Sequence, residues 1–281
     1  MNIVIHAVLI GGLYALVAAG FTMVYSVRRV LNLAYGTYIM ITAYVYYTIT
    51  QQLGFPTGAA FIIAILTGIG LSLGTYRVIA RRYLGNPTAV FVSTLILAIL
   101  LQSVMVLIYA DLPRNVLPVI TGTIMVFDVT VSKNILLAMG LSWLAIGGLL
   151  AFVTRTQLGR AIRATSMDIK GATVSGINPE TVDLVTWIWS GALAGVAGVF
   201  FGSFTHLTPF MWVFPLVISF AIVIIGGVGS IPGALVAAYA IGFAETGTTM
   251  MIDARLRGAV AFAVMIAIIV FRPQGLFGRE V

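Results

Sequence analysis

Long apolar runs alternate with short charged clusters along the whole chain, and most of the runs are long enough to cross a bilayer. Met1 to Val27 carries no charge, Arg28 and Arg29 close that run, and Leu31 to Gln51 forms the next. Gly54, Pro56 and Gly58 turn the chain into a third run that ends near Tyr76, and Thr88 to Ala110 makes a fourth. Later runs cover Asn134 to Thr154, Asp183 to Thr205, Trp212 to Val228, Pro232 to Met251 and Gly258 to Phe271. A crossing takes about 20 apolar residues, so the pattern predicts about nine spans, Ile3 to Ser26 being the first. The bounds are eight and ten, because Gly226 and Gly227 can break the seventh run and the ninth has only 14 uncharged residues. Between Asp111 and Lys133, Pro113, Pro118, Gly122 and β-branched residues predict a hairpin or loop outside the membrane.

The predicted fold is therefore an all-α, multi-pass transmembrane helical bundle, with residues 1–281 as a single domain. Composition agrees: 60% of residues are hydrophobic and 8% charged, against about 25% charged in soluble domains. Lys and Arg total 15 and Asp and Glu 8, a basic excess that in another setting would suggest nucleic acid. Here the positive-inside bias accounts for it. Alternating the spans from an external N-terminus puts eleven cations inside, from Arg28 to Arg279, and leaves four outside, Arg114, Lys133, Arg255 and Arg257. The C-terminus is then cytoplasmic, and the membrane is a prokaryotic plasma membrane on the reading given below. The first cation is Arg28, so no basic signal region precedes the first run, which is expected to remain as a span. With no cysteine and two distant histidines, His6 and His206, a disulfide, thiolate or histidine metal site is not expected.

Several stretches carry candidate chemistry. The longest polar segment, 155–183, lies inside by this topology, and Leu158, Ile162, Ile169 and Val174 are spaced for short amphipathic helices. Gly159, Gly171 and Gly176 are candidate breaks, and Asn178 before Pro179 is a helix start. Such helices suit a groove in another protein; a solvated basic loop is the alternative. Gly191, Gly195, Gly198 and Gly202 fall on one face of the sixth span, a surface for close helix packing within the subunit or against a partner. The stretch GGVGSIPG, Gly226 to Gly233, lacks the lysine of a phosphate loop and reads as a tight turn opened by Pro232, at the edge of a translocation path or covered by protein. Glu245 is the one acid inside a span and must face protein or water. It could bind a proton or a substrate ammonium, or serve as a structural hydrogen-bond acceptor. The interfacial aromatics need no functional account.

LGRAIRATSMDIKGATVSGIN, from Leu158, resembles the cytoplasmic coupling segment of branched-chain amino acid ABC importer permeases of the LivH/LivM type. Gly12 to Gly36, Ile224 to Glu245 and the closing RPQGLFGR are similar to further patterns of that family, so the resemblance covers nearly the whole chain. It implies a non-catalytic subunit that works with a second permease, identical or homologous, two cytoplasmic ATPases and an external solute-binding protein. Gly159 to Gly176 would seat in the ATPase cleft, with Arg160, Arg163 and Asp168 as polar contacts. No G-x-x-x-x-G-K-[ST] occurs, so ATP and Mg belong to the partners and no cofactor is expected on this chain. NLAYGT, from Asn32, resembles the family's N-F-A-H-G-E, with Tyr35 and Thr37 replacing its His and Glu. On a continuous helix Asn32 and Gly36 would share one face, at an inner gate along the path. The resemblance to an ATP-powered transporter favours the structural role for Glu245. Permeases of similar architecture carry urea, amides or sugars, and a stand-alone carrier coupled through Glu245 is the alternative of a different class. No cluster of His, carboxylate or Cys suggests a membrane enzyme.

Overall fold

Apolar helices here have two audiences, lipid and one another, and the sequence solves both. The computed structural model describes residues 2–126, 129–227, 229–253, 256, 258–272 and 274–277. α1 (Asn2–Arg28) is followed by α2 (Tyr35–Tyr47), which continues as a π-helical turn over Thr48–Gln52. α3 (Thr57–Thr75) runs through a second π-helical turn, Tyr76–Ala80, into the single turn α4 (Arg81–Tyr83), and α5 spans Pro87–Tyr109. The hairpin β1 (Thr123–Val126) and β2 (Val129–Ser132) pairs Thr123 with Ser132 and Ile124 with Val131, inside the stretch where the β-branched run predicts one. Then come α6 (Lys133–Arg155), α7 (Gln157–Met167), α8 (Ile169–Val174), α9 (Pro179–Phe204), α10 (Val213–Gly226), α11 (Ile231–Met251) and α12 (Ala259–Phe271).

A helix occupies every predicted run, and the expected bundle of apolar helices is present, though not every helix is long enough to count as a full span alone. Five helical stretches are long and apolar enough to cross alone, Ile3–Arg28, Thr57–Tyr83, Pro87–Tyr109, Lys133–Arg155 and Pro179–Phe204, and α10 with α11 qualifies as a sixth, bent by 116°. The physical reason is length: α2 and α12 have 13 residues each and α10 has 14, about 20 Å at 1.5 Å per residue against a hydrocarbon layer of about 30 Å. α2 has no need to meet lipid, since it is enclosed by its neighbours along almost its whole length. With its π-helical turn it runs beside α5 for that helix's upper and lower halves: the Leu33 amide donates to Thr94 Oγ1 at 3.1 Å, and the Thr48 hydroxyl meets the Tyr109 hydroxyl at 2.5 Å.

Local chemistry starts the helices. Asn86, Asn178 and Ser230 accept amides of the first turns of α5, α9 and α11, and Pro87, Pro179 and Pro232 follow within two residues. Packing then decides which faces are hidden. On α9, Gly191 and Gly195 meet the α3 backbone at Gly68, Ile69 and Ile65, while Gly198 and Gly202 meet α2 at Ile39, Thr42 and Ala43. The stripe thus serves packing within the subunit. α1 lies against α11, α9, α6 and α10, and large apolar side chains such as Ile62, Ile96, Leu107 and Val270 point outward as a lipid-facing surface does.

Contacts between distant segments sort the helix ends into two sets. At one end, Arg28 pairs with Asp183, Arg81 with Glu180 at 2.8 Å, Gly229 lies against Ser26, and the Leu276 amide donates to Ile225 O at 2.8 Å. At the opposite end, Arg114 and Leu207 exchange backbone hydrogen bonds of 3.0 and 2.9 Å, Gln51 reaches Asn115 O at 3.1 Å, and Val131 packs on Leu9. The first end carries Arg28, Arg29, Arg77, Arg81, Arg82, Arg155, Arg160, Arg163, Lys170 and Arg272; the second carries Arg114 and Lys133. Arg255, Arg257 and Arg279 lie outside the described residues.

Candidate functional site

The polar segment 155–183 folds as two short helices laid across the cation-rich end of the bundle. Thr156 Oγ1 accepts the Gly159 amide to start α7, and Asp168 Oδ1 accepts the Lys170 amide to start α8. The inner face of α7 is Gly159, Ile162 and Thr165, and that of α8 is Ala172. Gly159 sits against the Phe152 and Val153 carbonyls, where a side chain would not fit, so it seals α7 onto α6 and is not a break. Gly171 likewise lies inside α8. Only Gly176, with φ +83°, ends a helix, just before Asn178 caps α9.

What this pair turns outward is apolar and basic at once. Leu158, Met167, Ile169 and Val174 are exposed, Val174 to 91%, and Arg160, Arg163 and Lys170 are exposed around them. Arg163 reaches back to the Thr154 carbonyl at 3.4 Å. Exposed apolar side chains rimmed by charge mark a surface for interaction, with protein or with membrane. α9 leads out of this segment, and within its first turns Asp183 is held by Arg28 of α1 and by the Tyr76 hydroxyl at 3.4 Å.

The glycine-rich stretch forms the corner between α10 and α11. Gly227 and Gly229 have φ of +95° and +84°, Gly226 abuts the backbone of Gly233 and Ala234, and Ser230 accepts the Gly233 amide at 3.1 Å. Residues 275–277 cover this corner.

Asn32 and Gly36 do not share a helical face, because α2 starts only at Tyr35. Asn32 makes a turn instead, its Oδ1 accepting the Ala34 amide at 3.1 Å and its Nδ2 donating to the Tyr38 hydroxyl at 3.2 Å. Both residues are buried, and Gly36 lies against the Trp212 carbonyl ahead of α10.

Glu245, on α11, is 2% exposed and accepts a hydrogen bond of 2.8 Å from the Tyr14 hydroxyl of α1. The two line a cavity of about 410 Å³ between α1, α6, α9 and α11, together with His6, Thr246 and apolar side chains. The sequence reading singled out Glu245 but missed Tyr14 and Thr246. Tyr14 carried a usable signal, a phenol hydroxyl at the centre of an uncharged span. Neither the Arg28–Asp183 pair nor Tyr76 was anticipated, although each charge closes or opens a span, where partners are within reach.

The structure therefore separates the candidates: α7, α8 and the Gly226–Gly233 corner lie at one end, Asn32 and Gly36 are buried at the start of α2, and the Glu245 cavity lies in the other half of the bundle. Residues 3–269 match the family described as branched-chain amino acid transport system, permease component. The chain is 30% identical to the high-affinity branched-chain amino acid transport system permease protein BraD of Pseudomonas aeruginosa, over 98% of this chain and 94% of that protein. It is 29% identical to LivH of Escherichia coli K12 and 30% to LivH of Salmonella typhimurium, proteins of the same description, with the same coverage. No solved structure matches the chain.

Proposed function

The chain belongs to the permease-component family of branched-chain amino acid transport systems, and from that premise we propose that it is a membrane subunit of an ATP-driven importer of branched-chain amino acids. One observation carries the reading beyond family membership: α7 and α8 fix their inner faces to the bundle and offer an apolar, basic outer face with no cover. This is the surface for a cytoplasmic ATPase. The leucine, isoleucine and valine class comes from the relatives' names.

Ten cations against two among the described residues support a cytoplasmic position for the end bearing α7 and α8. The N-terminus is then external and residues 274–277 are cytoplasmic. ATP and Mg are held by two partner ATPases, a second permease completes the path, and an external binding protein delivers the solute to the end bearing the hairpin. This chain contributes no catalytic group to ATP hydrolysis. Its part is mechanical: Gly159 seats α7 on α6, and α8 leads into α9, whose Asp183 is held by Arg28 of α1. A displacement of α7 and α8 is passed to the long helices, because packed interiors shift as units.

The test is to express the tagged chain with its chromosomal neighbours, extract it in mild detergent and identify what co-purifies. Two ATPase subunits and a second permease are expected. A chain that purifies alone and moves leucine by itself in liposomes contradicts the proposal.

A further inference from the structure

The cavity in the half of the bundle away from α7 and α8 has the composition of a small-molecule site. Its volume of about 410 Å³ falls in the range of about 300–1,000 Å³ typical of ligand pockets, and its walls are mainly apolar with a few polar groups, as such pockets are. Leu9, Leu13 and Ile135 supply aliphatic wall, Ala138 is a small lining residue beside Ile135 on α6, and Glu245 and Thr246 supply the polar part.

Thr246 is the independent pointer to a ligand. It is 1% exposed, and its hydroxyl has no hydrogen-bond partner in the protein. Its neighbours on the same helix behave otherwise, Thr248 donating to Ala244 O at 2.8 Å and Thr249 to Thr246 O at 3.2 Å. Helical geometry therefore offers such hydroxyls a carbonyl, and Thr246 forgoes it while lining the cavity. Buried polar atoms are nearly always satisfied, so an exception at a cavity wall asks for a bound group. Beside it, the Glu245 carboxylate accepts from the Tyr14 hydroxyl and lines the same cavity. A carboxylate in apolar surroundings attracts a cation more strongly than it would in water.

We infer that this cavity is a station for the solute within the subunit, where the Glu245 carboxylate and the Thr246 hydroxyl take the α-ammonium of an amino acid and the aliphatic wall takes its branched side chain. The inference rests on the importer reading for its solute class. It predicts selectivity: a sugar gains nothing from the aliphatic wall, and a carboxylic acid without an ammonium lacks the group that Glu245 would hold.

The experiment is a scintillation-proximity assay of radiolabelled leucine on the complete transporter in nanodiscs, without the external binding protein. Two competitors each keep the branched chain, 3-methylbutylamine with the ammonium and 4-methylpentanoate with the carboxylate. The amine should displace leucine and the acid should not. Glu245→Gln should weaken leucine binding by about tenfold or more and Thr246→Val, equal in shape, by severalfold, as expected for lost hydrogen bonds to a charged group. Ala138→Trp should abolish binding by filling the space. Co-purification of every variant with its partners checks that it has folded. The inference is overturned if Thr246→Val and Glu245→Gln bind leucine as tightly as the wild type, if the acid competes as well as the amine, or if the wild type binds no leucine. Failure of the importer reading is separate: the wild-type assembly, with its binding protein and ATP, would then take up no leucine, and this site would fall with it. Uptake that persists while the variants bind normally removes only the site.

Discussion

Arg28, the last residue of α1, grips Asp183 of α9 through two side-by-side hydrogen bonds, Nε to Oδ1 at 2.6 Å and Nη2 to Oδ2 at 2.5 Å. Both side chains are largely withdrawn from solvent, Asp183 almost completely. Removing one partner strands the other charge, which costs about 3–5 kcal/mol. Arg28→Ala or Asp183→Ala should therefore lower the melting temperature in detergent sharply. The double variant should lose less than the sum of the two. Additive losses would show that the pair does not act as a unit.

The glycines of α9 and α6 make opposite predictions. A Cβ at Gly195 would lie 2.6 Å from Ile65 Cα, whereas one at Gly147 of α6 meets nothing within 4 Å. Gly195→Ala should destabilise by about 1–3 kcal/mol through overpacking. Gly147→Ala should be neutral or stabilise by up to about 1 kcal/mol from helix propensity. Thermal melts of the purified chain compare the two directly.

At the corner between α10 and α11, Gly229 has φ +84° and ample room, its nearest foreign atom lying 3.8 Å from a would-be Cβ. Conformation alone is then tested there. Gly229→Ala should cost about 1–2 kcal/mol for the left-handed backbone, and Gly229→Asn clearly less, because asparagine tolerates that region. Equal melting temperatures for the two variants would contradict this account of the corner.

On α7 and α8, position decides the outcome. Val174→Asp and Leu158→Asp alter the exposed face and should reduce ATPase recovery in pull-downs about tenfold or more, with the melting temperature kept, as for central contacts of an interface. Ile162→Asp, on the buried face, should unfold the segment. Asp168 caps α8, so Asp168→Asn should preserve the helix, and Asp168→Ala should cost it about 1 kcal/mol. ATPase recovery that is indifferent to Val174 and Leu158 would dismiss the docking surface.

What the sequence made legible is local or periodic. Asn178 with Pro179, Pro232 after the glycines, the hairpin near Gly122 and the face shared by Gly191, Gly195, Gly198 and Gly202 all follow from rules that act within a few residues. The unread part depends on distant partners. Tyr14 and Glu245 are 231 residues apart and Arg28 and Asp183 are 155 apart, and no periodicity connects them. Span lengths failed for a related reason: hydropathy does not distinguish a helix that meets lipid from α2, which is apolar because other helices enclose it. Asn32 misled because its turn-forming side chain starts α2 four residues later than the apolar run suggests. For the candidate site, segment 155–183 was readable as short amphipathic helices, but Gly159 as a packing contact and Thr246 as a cavity hydroxyl required the neighbours in space.

The most direct measurement of the central claim is leucine accumulation in proteoliposomes that contain this chain, its partner permease and the two ATPases, with the external binding protein on one side and ATP on the other. Accumulation should require ATP, every subunit and the binding protein. Leucine uptake by this chain alone on an ion gradient, or a complete assembly that hydrolyses ATP and moves no leucine, would contradict the account.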